Sequence, residues 1–280
     1  MSAWRLLGVS GVLAVAVLAG CRHESPPPAP VEVTPPLARL RIIFPEGFTR
    51  REMAERVGAV REIAIRKRMV TPRLTASGYL RASARATPPA EFRKDWSRTR
   101  SSEGFLFPAT YEFTKLTSSE RLVRDQLAFF RRQWRSVDLR YARTKNLTPY
   151  DVLIIASMIE KETVAPEERR LVSAVIYNRL RNGMPLGIDA TIRYGRNVPG
   201  TESLKQSDLD SDSPYNTRLR LGLPPTPISN PGLASIRAAA RPARVDYLFF
   251  VRKPDGVHHF FTASEAEFFQ KKCEYGFGCG

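Results

Sequence analysis

The spacing of apolar residues changes several times along the chain. Residues 40–44, LRIIF, form a short apolar run stopped by Pro45-Glu46-Gly47, which predicts a strand and then a turn. Thr49 with Glu52 three positions on is a capping-box pattern. Met53, Ala54 and Val57 then recur at helical spacing. Strand, turn and capped helix make a small α+β unit. Residues 59–98 read as Arg-rich, mostly helical material. In SSEGFLFPATYEF (101–113), Phe105, Phe107 and Phe113 fall on one parity, which predicts a strand interrupted by Pro108. Residues 117–144 predict one long amphipathic helix, with Leu122, Leu127, Phe129, Phe130, Trp134 and Leu139 on its buried side.

Thr148-Pro149-Tyr150-Asp151 is a strong helix start: a hydroxyl cap, proline at the first position and an acid at the positive end of the dipole. Leu153, Ile154, Ile155, Met158 and Ile159 make the helix apolar nearly all round, so it is expected to be buried on most sides. It ends in Glu160-Lys161-Glu162. At about 100° per residue Glu160 shares a face with Leu153, Ala156 and Ser157, and Glu162 shares one with Asp151, Ile155 and Met158. Burial and the negative end of a helix dipole both favour a protonated carboxyl, the form a general acid needs. Periodicity does not choose between the two glutamates, and two surface residues at an emerging helix end would look the same.

Pro166-Glu167-Glu168 opens a further helix, with Leu171, Val172, Val175, Ile176 and Leu180 as its stripe and Gly183 as its stop. The chain then reads as loops: Pro185, Asp189-Ala190-Thr191 and SPYNTRLRLGLPPTPISNPG (213–232). A helix over 233–240 follows, and VDYLFFVRK, Pro254-Asp255-Gly256 and VHHFFTA predict a closing hairpin.

The N-terminus has a different character. Arg5, an apolar run to Gly20 and then Cys21 have the layout of a signal peptide, and the run is shorter than the roughly 20 residues of a spanning helix. Leu18-Ala19-Gly20-Cys21 resembles the lipobox of bacterial lipoproteins, which makes Cys21 the expected lipidation site. A short membrane anchor is the competing reading. Six prolines between residues 22 and 39 predict an extended spacer. The net charge of +16, with arginine far in excess of lysine, suits a polyanionic or carboxylate-bearing partner. No nucleic-acid-binding motif accompanies it. Cys273 and Cys279 could close a small loop in an oxidising compartment. His258 and His259 are adjacent, so on a strand they point to opposite faces, and no metal or cofactor is expected.

Seven segments in order carry a resemblance: FPEGFT (44–49), EGFLFPATYEF (103–113), ASMIEKET (156–163), VIYNRLRNGMPL (175–186), DATIRYG (189–195), SPYNTRLRLGLPPTPISNPG (213–232) and DYLFFVRKPDGVHHFF (246–261). Together they make the chain resemble the endolytic murein transglycosylases, the YceG-like family, over about residues 40–270. The resemblance implies an α+β fold: a LysM-like module over 40–98, then a mixed α/β catalytic domain over 99–273 with a buried catalytic helix. Residues 1–20 would be the signal peptide, 21–39 the linker and 274–280 a tail.

It also implies that Glu160 is the catalytic acid and Glu162 a supporting residue. Glu103, Asp189, Thr191, Tyr215, Asn216 and Thr217 match polar motif positions expected to bind substrate or support the site. The implied reaction is cleavage of the MurNAc–GlcNAc bond inside glycan strands with closure of a 1,6-anhydro ring. The implied partners are peptidoglycan, the membrane through an N-terminal anchor, and proteins of peptidoglycan synthesis. The expected place is the bacterial cell envelope, with the catalytic domain in the periplasm. Two departures stand out. Gly187 occupies a position where the family usually has glutamine, and Ala109 one where aspartate is common. Gly187 favours the alternative of a non-catalytic peptidoglycan-binding lipoprotein, nothing is drawn from Ala109, and a two-carboxylate glycosidase using Asp189 is a separate alternative.

Overall fold

A computed structural model describes Met1 and residues 37–278; the expected signal peptide, lipidated Cys21 and most of the linker lie outside the described residues. Cys273 is disulfide-bonded, and Cys279 also lies outside the described residues. Residues from Leu37 onward form one compact unit. It is α+β, with many helices and two small antiparallel sheets.

β1 (Leu40–Ile43) pairs with β2 (Thr110–Phe113), Ile43 opposite Thr110. Between them run α1 (Arg50–Arg68), α2 (Ala76–Ala84) and α3 (Arg93–Trp96). The predicted capping box at the start of α1 is present: Thr49 holds the Glu52 N–H, and the Glu52 carboxylate holds the Thr49 N–H. The strand expected across Phe105 and Phe107 is instead a buried loop, and only residues 110–113 are extended. The Leu106 N–H goes to the Asn230 Oδ1 at 2.9 Å and so never joins a ladder. The Phe105 ring inserts between Phe92 and Phe130, with centroids at 5.0 and 5.3 Å.

The expected long helix is two: α4 (Ser119–Trp134) and α5 (Arg140–Thr144). The break has a local cause. Asp138 accepts from the Arg140 N–H at 3.0 Å and from its guanidinium, so the side chain offers the backbone an alternative to the helix.

α6 (Pro149–Glu162) starts at its predicted cap, Thr148, with Asp151 completing the box. Val152 through Ile159 are all buried. It packs against α7 (Arg169–Arg181) and α10 (Leu233–Ala240), and its end meets α8 (Asp189–Arg196). A turn of 3-10 helix at Pro166–Glu168 leads into α7. Residues 189–191, expected in a loop, begin α8, which the left-handed Asn197 closes (φ 56°). A single turn, α9 (Gln206–Leu209), interrupts the loop that follows. The predicted hairpin is β3 (Phe249–Arg252) and β4 (His259–Thr262), covered by a helix not foreseen, α11 (Glu265–Glu274). His258 and His259 go to different carboxylates: Asp255 and Glu167 for the first, Glu168 for the second.

Candidate active site

Glu160 and Glu162 are two residues apart and face different neighbourhoods. Ser157 shares the Glu160 face, and residues 228–232 lie along that face. The Ile228 N–H donates to the Ser157 Oγ at 3.0 Å, and the Ser229 hydroxyl donates to the Ser157 carbonyl at 3.1 Å. One turn further, the Gly232 N–H donates to the Glu160 Oε2 at 2.9 Å. The FPEG turn covers the same carboxyl from the other side, since a side chain begun at Gly47 would start 3.5 Å from the Glu160 Cγ. Arg169, at the start of α7, brings its guanidinium to 3.9 Å from the Glu160 Oε1. Only 6% of the Glu160 side chain is exposed. One of its oxygens is therefore held by a backbone N–H, while the other meets only a distant cation.

Two backbone bonds fix the turn against the distant loop: Gly47 N–H to the Asn230 carbonyl at 3.0 Å, and Asn230 N–H to the Phe48 carbonyl at 2.9 Å. The Asn230 amide also donates to the Phe48 carbonyl at 2.9 Å and to the Glu103 Oε1 at 2.7 Å.

Glu103 is the node behind this wall and is 3% exposed. Its Oε1 also accepts from the Arg50 N–H at 2.8 Å, at the start of α1, and its Oε2 accepts from the Tyr194 hydroxyl at 3.2 Å. Burial raises its pKa to about 7 despite these donors. Glu162 reaches toward the N-terminus of α8. Burial, reinforced by the charge of Asp189, raises its pKa to about 7, while Arg252, the Ala190 N–H and Arg193 pull it back. Asp189 itself is held by the Arg218 guanidinium at 2.7 and 2.9 Å.

The remaining predicted positions lie in the support. Thr191 is fully buried, and its hydroxyl meets the Ile188 carbonyl at 2.6 Å and the Thr217 hydroxyl at 2.9 Å. Thr217 accepts from the Ile188 N–H at 3.0 Å. Asn216, also fully buried, donates to the carbonyls of Leu209 and Ser211 and accepts from the Arg218 N–H. The Tyr215 hydroxyl is 2.8 Å from that of Thr226, and its ring meets Tyr194 edge-on. These groups make their hydrogen bonds inside the loop.

Gly187, the departure from the expected glutamine, has a left-handed backbone (φ +63°), and its N–H holds the Thr217 carbonyl at 2.9 Å. That conformation favours glycine over any residue with a Cβ.

The sequence reading missed Glu46, Arg169, Asn230 and Gly232. All but Arg169 stand within the quoted motifs, where Glu46 was read as turn chemistry and 229–232 as a loop. Arg169 had no local signal. Among the described residues no group of His, Cys, Asp and Glu side chains has the arrangement of a metal site. No helix there is long and apolar enough to cross a membrane.

Comparison with known proteins gives the site its relatives. The model of the YceG-like family matches residues 30–274. An endolytic murein transglycosylase of Streptococcus pneumoniae (strain ATCC BAA-255 / R6) is 34% identical over 236 residues, 78% of this chain and 41% of that protein. One from Bacillus subtilis (strain 168) is 37% identical over 158 residues, 55% of this chain and 42% of that protein. The chain thus spans less than half the length of these curated relatives. A crystal structure of a YceG-like protein from Listeria monocytogenes is 27% identical with a TM-score of 0.64, over 81% of this chain and 74% of that one.

Proposed function

This chain belongs to the YceG-like family, and from that premise and the setting of Glu160 we propose that it is an endolytic lytic transglycosylase of peptidoglycan. The observation that carries the reading is the open valence of Glu160. It is a carboxyl that is almost wholly buried, with one oxygen held by a backbone N–H and the other 3.9 Å from the Arg169 guanidinium, beyond hydrogen-bond distance. In the proposed reaction the Glu160 carboxyl gives its proton to the glycosidic oxygen as the bond to muramic C1 breaks, releasing the GlcNAc-ended strand. The carboxylate then takes the proton of the muramic C6 hydroxyl, whose oxygen bonds to C1 and closes the 1,6-anhydro ring. The proton lost in the first step returns in the second, and no water is consumed. One carboxyl therefore does the proton transfers that hydrolases divide between two.

Glu103 and Glu162 act in this scheme as supports. Glu103 joins α1, α8 and the 230 loop, and Glu162 joins α6 to α8. Thr191, Tyr215, Asn216 and Thr217 hold the loop behind Arg218 and Asp189. Residues 40–98, read as LysM-like, supply the turn that covers Glu160. The classification as a lyase, residence in the periplasm, lipid anchoring through Cys21 and coupling to peptidoglycan synthesis belong to the same proposal. The excess positive charge suits a substrate that carries carboxylates.

The test is mass spectrometry of the products from uncross-linked glycan strands. Internal fragments ending in 1,6-anhydromuramic acid, lighter by one water than hydrolysis products, support the reading. Reducing ends would make the protein a hydrolase, and intact but bound strands would make it a binding protein.

A further inference from the structure

Glu46 is an exposed side chain set beside the buried Glu160 carboxyl. It sits at the tip of the Pro45-Glu46-Gly47 turn, whose position is fixed by the paired bonds between residues 47–48 and Asn230. Its carboxyl lies directly against the Cα of Gly232. A Cβ at residue 232 would overlap the carboxyl, although the backbone there is extended and would accept any residue. Gly232 is also the residue whose N–H holds Glu160. Two carboxyl groups are thus seated on one glycine, with Arg169 close to both.

Among the described residues, none donates a hydrogen bond to Glu46 and no cation comes within ion-pair distance of it. Partial burial and the charge of Glu160 push its pKa up, and Arg169 pulls it back. Glu46 is exposed to solvent, so water reaches its carboxylate, but it stands beside a second carboxyl group. A fixed backbone turn aims it there. The seat on Gly232 puts it beside the Glu160 carboxyl.

We propose that Glu46 is a second catalytic carboxyl of this site, touching the substrate and stabilising the positive charge that develops at muramic C1 as the glycosidic bond breaks. The proposal rests on the transglycosylase reading above. In that chemistry the C1–O bond lengthens before the C6 oxygen has fully bonded, so positive charge collects on C1 and the ring oxygen. A fixed anion there binds the transition state more strongly than the ground state. Glu160 cannot hold this role throughout, because in the proposed reaction it serves as the proton donor. Glu46 forms no bond and transfers no proton. Its contribution is charge, and the close seat on Gly232 sets where the charge lies.

The test measures initial rates against strand concentration for the full-length wild type, Glu46→Gln, Gly232→Ala and Glu160→Gln, with products identified by mass. Glu46→Gln keeps shape and removes charge. Its kcat is expected to fall roughly 10- to 100-fold, with KM within about twofold, because the interaction lost is one made in the transition state. Gly232→Ala leaves the N–H on Glu160 in place and pushes the Glu46 carboxyl off its seat, so it is expected to lower kcat in the same way. The double variant should be no slower than the worse single one.

Wild-type kcat in Glu46→Gln, or a rise in KM alone, overturns the proposal and leaves the transglycosylase reading standing. Absence of anhydro ends from the wild type overturns both. A fall in melting temperature large enough to account for the loss in Glu46→Gln passes the decision to Gly232→Ala. Normal kcat in that variant, with its melting unchanged, also overturns the proposal.

Discussion

Glu103 and Glu160 are both buried carboxyls, and both belong to the quoted motifs. Glu103 receives three hydrogen bonds from three separate parts of the chain: Arg50, Tyr194 and Asn230. Glu160 receives one, from Gly232, and a guanidinium stands off at 3.9 Å. Judged by its raised pKa alone, Glu103 would be taken for the acid. Three of the roughly four lone-pair sites of this carboxyl are, however, already used within the fold. The contrast separates two uses of a buried acid. One joins elements that the chain brings together late, and the other, among the described residues, is held by a single backbone N–H.

The largest expected effect sharpens this contrast at Glu160. Glu160→Gln should lower the rate of anhydro-end formation by about 10²–10⁴-fold, the usual range for a lost acid–base group. Its melting temperature should stay close to that of the wild type, and a large drop in melting would place Glu160 with Glu103. Next is Glu103→Ala, which leaves the Arg50 N–H, the Asn230 amide and the Tyr194 hydroxyl buried without their acceptor. At about 1–3 kcal/mol for each orphaned group, a loss of more than about 3 kcal/mol is expected in chemical denaturation. A loss below about 1 kcal/mol would refute the role of a node.

Glu103→Gln tests the same node through pH. The folded carboxyl keeps its proton up to about pH 7, whereas an unfolded one releases it near 4.5. The folded state therefore holds the extra proton between those values. Its contribution is fully present below 4.5 and is lost as pH rises through 7. Glutamine can accept from Arg50 and Asn230 and donate to Tyr194, so the variant should fold. The fall in stability between pH 4.5 and 7, on the order of 2–3 kcal/mol from this group, should flatten. An unchanged slope would assign that pH dependence elsewhere, with Glu162 the next candidate. The smallest effect is Thr148→Ala, which removes a cap from α6 and should cost about 1 kcal/mol without touching either carboxyl.

Elements set by neighbouring residues were legible beforehand. Thr148, Pro149 and Asp151 announced the start of α6, and Thr49 with Glu52 announced α1. The apolar run to Ile159 announced burial. Failures came where a side chain turned back on its own backbone, as Asp138 does in splitting the helix after Trp134. They also came where a parity pattern met a competing acceptor, as Leu106 meets Asn230. The site was legible to the extent that the resemblance pointed to Glu160. Its surroundings were not, because the partner of Glu160 is 72 positions away and that of Glu103 as many as 127. Nor does spacing reveal that Gly187 is bent into the left-handed region. A glutamine restored there would meet strain before it met a sugar.

The clasp between residues 47–48 and Asn230 spans 182 positions, about three quarters of residues 37–278. It makes the seating of Glu160 a late event in the life of the polypeptide. A nascent chain halted between Glu162 and Gly232 contains Glu160 and the helix that carries it, but not the N–H that holds its carboxyl. The same clasp offers a practical handle. Two fragments divided in the exposed stretch around residues 199–203 each hold half of the clasp, so restored cleavage would report their reassembly.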